Sequence, residues 1–158
     1  MKLLVDKSRA LRAILLGGLI AGILDISYAC IFSYIRRRTS PVVILQSVAS
    51  GALGRSAFEG GAKTAALGLF FHFLIATTAA AVYYLASRRL RFLVNHPCIF
   101  GPLYGIGVYL FMNFVVLPLS AIGPRATPLP LSALIGGLLI HMFGIGLVIA
   151  LVVRRYSR

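Results

Sequence analysis

The chain has 158 residues, 59% of them hydrophobic and only 12% charged, where soluble domains run at about 45–50% apolar and about 25% charged. That composition sets aside an ordinary soluble domain and predicts one compact membrane domain. The formal charge of +13 comes from sixteen Lys/Arg against three acids. Its distribution argues against a nucleic-acid partner: Arg36-Arg37-Arg38, Arg88-Arg89-Arg91 and Arg154-Arg155-Arg158 flank the apolar runs, where Lys and Arg meet anionic lipid headgroups.

Met1 to Arg12 reads as a short basic arm. The first span is expected at residues 13–35, where about twenty apolar residues cross a hydrocarbon core of about 30 Å. Its length and basic exit differ from a cleaved signal peptide. It carries Asp25, and a charge at mid-membrane costs at least ~2.5–3.5 kcal/mol. Gly18, Ala21, Gly22, Asp25, Tyr28 and Ala29 recur at three- and four-residue spacing and share a face. Gly18 and Gly22 form a GxxxG pair that admits a close neighbour, so Asp25 is expected to face a protein bundle.

Residues 41–59 are expected to form an interfacial helix between the first two spans. Ser40-Pro41 reads as N-cap and first helical residue, and glycines at 51, 54, 60 and 61 interrupt the pattern. Arg55 and Glu59 are spaced for a weak i,i+4 pair. The second span is expected at residues 64–87, with Ala65, Gly68, Ala76 and Ala79 on the face of His72. The third, residues 99–121, opens with a second GxxxG, Gly101 to Gly105, and Pro118 near its end predicts a bend. Recurrent prolines in Ile122 to Pro130 exclude regular helix there. The fourth span is expected at residues 131–153, with Ser132 as its cap and Gly137 and Gly144 beside His141. Tyr83, Tyr84, Tyr104 and Phe92 read as interfacial aromatics. Cys30 and Cys98 fall toward opposite ends of their spans, so no disulfide is expected.

Four spans place both termini on one side. That side holds ten Lys/Arg against six on the other, and the positive-inside rule puts both termini in the cytoplasm.

Each span holds one conspicuous polar residue: Asp25, His72, Asn113 and His141. At about 1.5 Å per residue, Asp25 lies about 16 Å from Arg36, His72 about 14 Å from Lys63, Asn113 about 15 Å from Gly123 and His141 about 14 Å from Ser132. The four are therefore expected to form one buried polar layer. Such a layer supports proton or ion handling, since membrane Asp and His recur in proton relays. It serves equally as interhelical glue, at ~0.6 kcal/mol per bond. No metal site and no cofactor is favoured; His72 and His141, on parallel spans, are the candidates for a metal or for axial haem ligation. No nucleotide loop and no nucleophile–base arrangement marks an enzyme.

His72-Phe73, Asn113-Phe-Val-Val-Leu-Pro118-Leu119, the Pro-rich loop and His141-Met142 together resemble the YagU-like group of small bacterial inner-membrane proteins over spans two to four. The resemblance implies a bacterial inner-membrane bundle, in a group linked to acid tolerance. The chain departs from the pattern at Asn113, where the family has His, so the resemblance does not by itself carry metal or proton chemistry here.

The sequence thus predicts an all-α membrane protein of four transmembrane helices plus an interfacial helix. Proton or small-solute handling in acid or envelope stress is the first functional reading. The alternatives are a non-catalytic scaffold subunit of a larger membrane complex and a haem- or metal-binding protein. Gly18, Gly22, Gly101, Gly105, Gly137 and Gly144 are the expected helix-packing positions, and the two GxxxG faces exceed what one neighbour needs, which predicts a homo-oligomer or a membrane partner.

Overall fold

The computed structural model describes residues 2–123 and 130–157. Most of the Pro-rich connection, with Arg125, lies outside the described residues. Four helices are long and apolar enough to cross a membrane. We label the helices α1 (Lys2–Arg37), α2 (Pro41–Leu53), α3 (Gly61–Arg89), α4 (Phe92–Asn95), α5 (Pro97–Leu119) and α6 (Leu131–Ser157). The expected four-span bundle with a shorter helix after the first span is what the chain forms.

Local chemistry sets the element ends. α1 runs through the basic segment that reads as an arm, and stops where Arg38 turns left-handed at φ 55°. Ser40 is extended, as a residue before proline must be, and its hydroxyl accepts the Val43 N–H at 3.5 Å. α2 ends at Gly54, whose φ of 63° suits a residue without Cβ. A 3-10 turn follows over Gly54–Phe58. In a 3-10 turn residues align at i,i+3, and Arg55 and Glu59 form no ion pair among the described residues, unlike what the i,i+4 spacing predicts. At the head of α6 the cap is Pro130, not Ser132. The Ser132 hydroxyl instead accepts a bond from Arg36 at the end of α1.

Two long helices widen within the membrane. In α5, Met112–Val116 winds as π-helix just before Pro118. Proline lacks an N–H and its ring crowds the carbonyl four residues back; a wider turn relieves both. In α6, Ile140–Leu147 is also π-helical.

α1 lies between α3 and α6, and α5 packs on α6. α2 lies along the start of α3, so close that a Cβ at Gly68 would fall on the Leu45 carbonyl. Gln46 ties the two by donating to the Gly61 carbonyl at 3.1 Å and to the Thr64 hydroxyl at 3.3 Å. The core is Ala13 and Ala21 of α1, Ala80, Tyr83 and Tyr84 of α3, and Ile145, Ile149, Ala150 and Val153 of α6. Tyr83 and Tyr84 are therefore core residues and not the interfacial aromatics their chemistry predicts. The Tyr83 hydroxyl is satisfied internally, donating to the Leu93 carbonyl at 3.0 Å. Tyr104 likewise turns inward and donates to the Ala79 carbonyl at 2.7 Å. Both cysteines are free.

The packing glycines are used within the chain. A Cβ at Gly18 would lie 2.5 Å from Thr77 Cα, and one at Gly22 would meet the Phe73 ring at 2.8 Å. The first GxxxG thus admits α3. Gly101 and Gly105 admit α6: added Cβ atoms would strike Leu147 Cα at 2.8 Å and the His141 carbonyl. Gly137 takes the Tyr109 ring, while Gly144 faces Leu24 and its own helix's Ile140. Among the described residues, both GxxxG pairs are thus taken up by neighbouring helices of the same chain.

Candidate functional site

Asp25 and His141 meet where α1 and α6 cross. Asp25 Oδ1 is 4.0 Å from His141 Nδ1, and the two side chains are 23% and 17% exposed. The antiparallel register is fixed further out by Arg36 and Ser132. His141 lies in the first turn of the widened segment, and Nδ1–H donates to the Gly137 carbonyl at 2.8 Å. That bond places the proton on Nδ1 and leaves Nε2 as a free acceptor in the neutral ring. The Tyr109 ring stands edge-on to the imidazole, centroids 5.2 Å apart. The His141 carbonyl abuts Gly105, so α5 backs the histidine directly.

His72 reaches the same region from α3 but does not bond the carboxylate. Its Nε2–H donates to the Gly22 carbonyl at 2.9 Å, one turn of α1 below Asp25. The small residues beside it serve two neighbours: Gly68 meets α2 and Ala76 meets Gly22.

Asn113 does not join them. Its amide donates to the Tyr109 carbonyl at 2.9 Å within α5. Gly105 sits against His141, so Asn113, eight residues on, lies about 12 Å nearer the α2 end. Asn113 lies off the expected layer because α5 stops at Leu119 and residues 120–123 are turn, not span. Asn113 lines a cavity of about 510 Å³ under α2 with Ser47, Ser50, Arg55, Phe58 and Leu117.

Tyr109 is the residue the sequence reading misses. It touches His141 with its ring, fills the space at Gly137, and accepts from Asn113 through its carbonyl. Its only sequence signal is a position four residues before Asn113. No group of three or more His, Cys, Asp or Glu is placed to hold a metal among the described residues. His72 Nε2 and His141 Nδ1 both bond backbone carbonyls, which leaves the opposite ring nitrogens as the available ligand atoms.

No protein family, curated protein or solved structure matches this chain. The helices alone define its class, a small polytopic membrane protein.

Proposed function

We propose that this protein handles protons, or a small solute moved with them, through the Asp25–His141 pair, and that it does so in a bacterial inner membrane with both termini cytoplasmic. The observation that carries the reading is a carboxylate and an imidazole 4.0 Å apart at mid-span, both partly open. A lone charge at this depth costs ~2.5–3.5 kcal/mol, and Asp and His side chains placed together inside membranes recur in proton relays. The resemblance to the YagU-like proteins fits the same reading.

The packing supports access from one side. Toward the chain termini the bundle is closed by Tyr83, Ile149 and Val153, all fully buried. Toward α2 no residue of α1 beyond Gly22 is buried, and none of α6 before Gly144.

The test is acidification of proteoliposomes under an imposed pH gradient. Wild type should exceed empty liposomes, and Asp25→Asn and His141→Asn should both fall to the empty-liposome rate. Wild-type flux equal to empty liposomes, or full flux in Asp25→Asn, would remove the role.

A further inference from the structure

The cavity beneath α2 has a different chemistry from the Asp25–His141 pair. It holds about 510 Å³, within the ordinary range for ligand sites, and is lined by Ser47, Ser50, Arg55, Phe58, Asn113 and Leu117. Ile122 and Gly123 complete its wall. It is a built feature: the Ala121 N–H donates to the Gly51 carbonyl at 2.8 Å, which fastens the chain after α5 to α2.

The donors and acceptors decide what it can take. The Ser47 and Ser50 hydroxyl hydrogens go to the Ile44 and Ser47 carbonyls at 2.6 and 2.7 Å. One Asn113 amide hydrogen goes to Tyr109. What remains to donate is the Arg55 guanidinium, with five N–H groups, and the second Asn113 amide hydrogen. Among the described residues no carboxylate lines the cavity, and Glu59 forms no ion pair with Arg55. A guanidinium in this state selects an oxyanion, and its planar fork matches phosphate. The depth narrows the choice further. Arg55 lies in the connection between the end of α1 and the start of α3, where the apolar spans stop and headgroups begin. The rest of the wall, Phe58, Leu117 and Ile122, is apolar.

We propose that this cavity binds the phosphate of one anionic phospholipid, held by Arg55 and Asn113, with the first part of its acyl region against Phe58, Leu117 and Ile122. This goes beyond the proton-handling reading and stands without it: Asp25 and His141 do not line the cavity.

The test uses the full chain, purified in a neutral detergent and stripped of lipid. Native mass spectrometry is run with phosphatidylglycerol, with phosphatidylcholine of the same chain length, and with inorganic phosphate. Wild type should retain one phosphatidylglycerol at concentrations where phosphatidylcholine dissociates. Arg55→Gln and Asn113→Leu should each weaken that retention at least tenfold, with helical content unchanged by circular dichroism. Arg89→Gln, at the opposite end of the bundle, should leave it unchanged. Equal retention of the two lipids, or full retention in Arg55→Gln, overturns the proposal. Saturable binding of inorganic phosphate in preference to the lipid also overturns it, moving the site to a free anion. Arg55 is exposed and makes no ion pair among the described residues, so its substitution does not threaten the fold.

Discussion

At the end of the bundle where the chain begins and ends, α1, α3 and α6 close on one another; at the end that carries α2 they do not. In the first half Ala13, Ala21, Ala80 and Ala150 let backbones approach, and Tyr83, Ile149 and Val153 fill the space between them. The Tyr83 hydroxyl there is bonded to the Leu93 carbonyl. In the second half α5 and α6 are widened, Asp25 and His141 are partly open, and a cavity lies beneath α2. The lesson concerns what drives packing without water. Lipid is as apolar as leucine, so helices associate through close van der Waals contact and not through burial of oil. Where small residues permit that contact the bundle is dry. Toward α2 close contact is local, as at Gly105 against the His141 carbonyl, and Asp25, His141 and Asn113 lie beside space that no side chain fills. π-turns gather at functional sites for a related reason, since a widened turn presents groups that a regular helix ties up.

The largest effect should separate two glycines on the same helix. At Gly105 a leucine would run into the His141 carbonyl, which cannot move without shifting α6. Gly105→Leu should cost about 3 kcal/mol or more and should also disturb the His141 site. At Gly107 nothing lies within 4 Å of an added Cβ, and leucine is the better helix former by roughly 1 kcal/mol. Gly107→Leu should leave the detergent melting midpoint unchanged or slightly raised. Equal effects at the two positions would break the account of which faces are packed.

A second contrast falls between the halves. Tyr83→Phe leaves the Leu93 carbonyl without its partner in the dry half and should lower stability by about 1 kcal/mol, read from the same melts, with proteoliposome flux intact. Asp25→Asn keeps shape and volume in the open half. Its stability change should be nearer the ~0.6 kcal/mol typical of polar contacts between membrane helices, while flux disappears. The comparison fails if the tyrosine variant loses flux or the aspartate variant melts much earlier.

The sequence exposed the bundle far better than the site. Four apolar runs, the Ser40-Pro41 start and the two GxxxG pairs suffice for the architecture, because each reports a local cost that no tertiary contact can cancel. The sequence places Asp25 and His141 at one depth without pairing them, and Arg37 and Leu131, the ends of α1 and α6, lie within a residue of Arg36 and Ser132. Asn113 lies off that depth, because the end of α5 depends on Pro118 and the turn behind it rather than on hydropathy. Tyr83 and Tyr84 looked interfacial because tyrosine is amphipathic, and only the fold supplies the Leu93 carbonyl that lets Tyr83 go inside. The widening at His141 has no sequence signature, since Ile140 to Leu147 reads as ordinary apolar helix.

The smallest expected effect tests whether the open half is held or free. Arg36 bonds Ser132 and lies over the Phe32 ring at 5.6 Å, joining the outer ends of α1 and α6. Both partners of the bond are exposed, and an exposed polar contact of this kind contributes at most about 0.2–1 kcal/mol. Arg36→Gln should therefore shift the melting midpoint by no more than about a degree or two, on the order of a few tenths of a kcal/mol. Flux is the more informative reading. If α1 and α6 must part at their outer ends for a proton to reach Asp25, loosening the Arg36–Ser132 tie should raise the rate without changing its dependence on Asp25. A large loss of stability would instead mean that the outer ends are locked, and the difference between the two halves would then be one of polarity and not of packing.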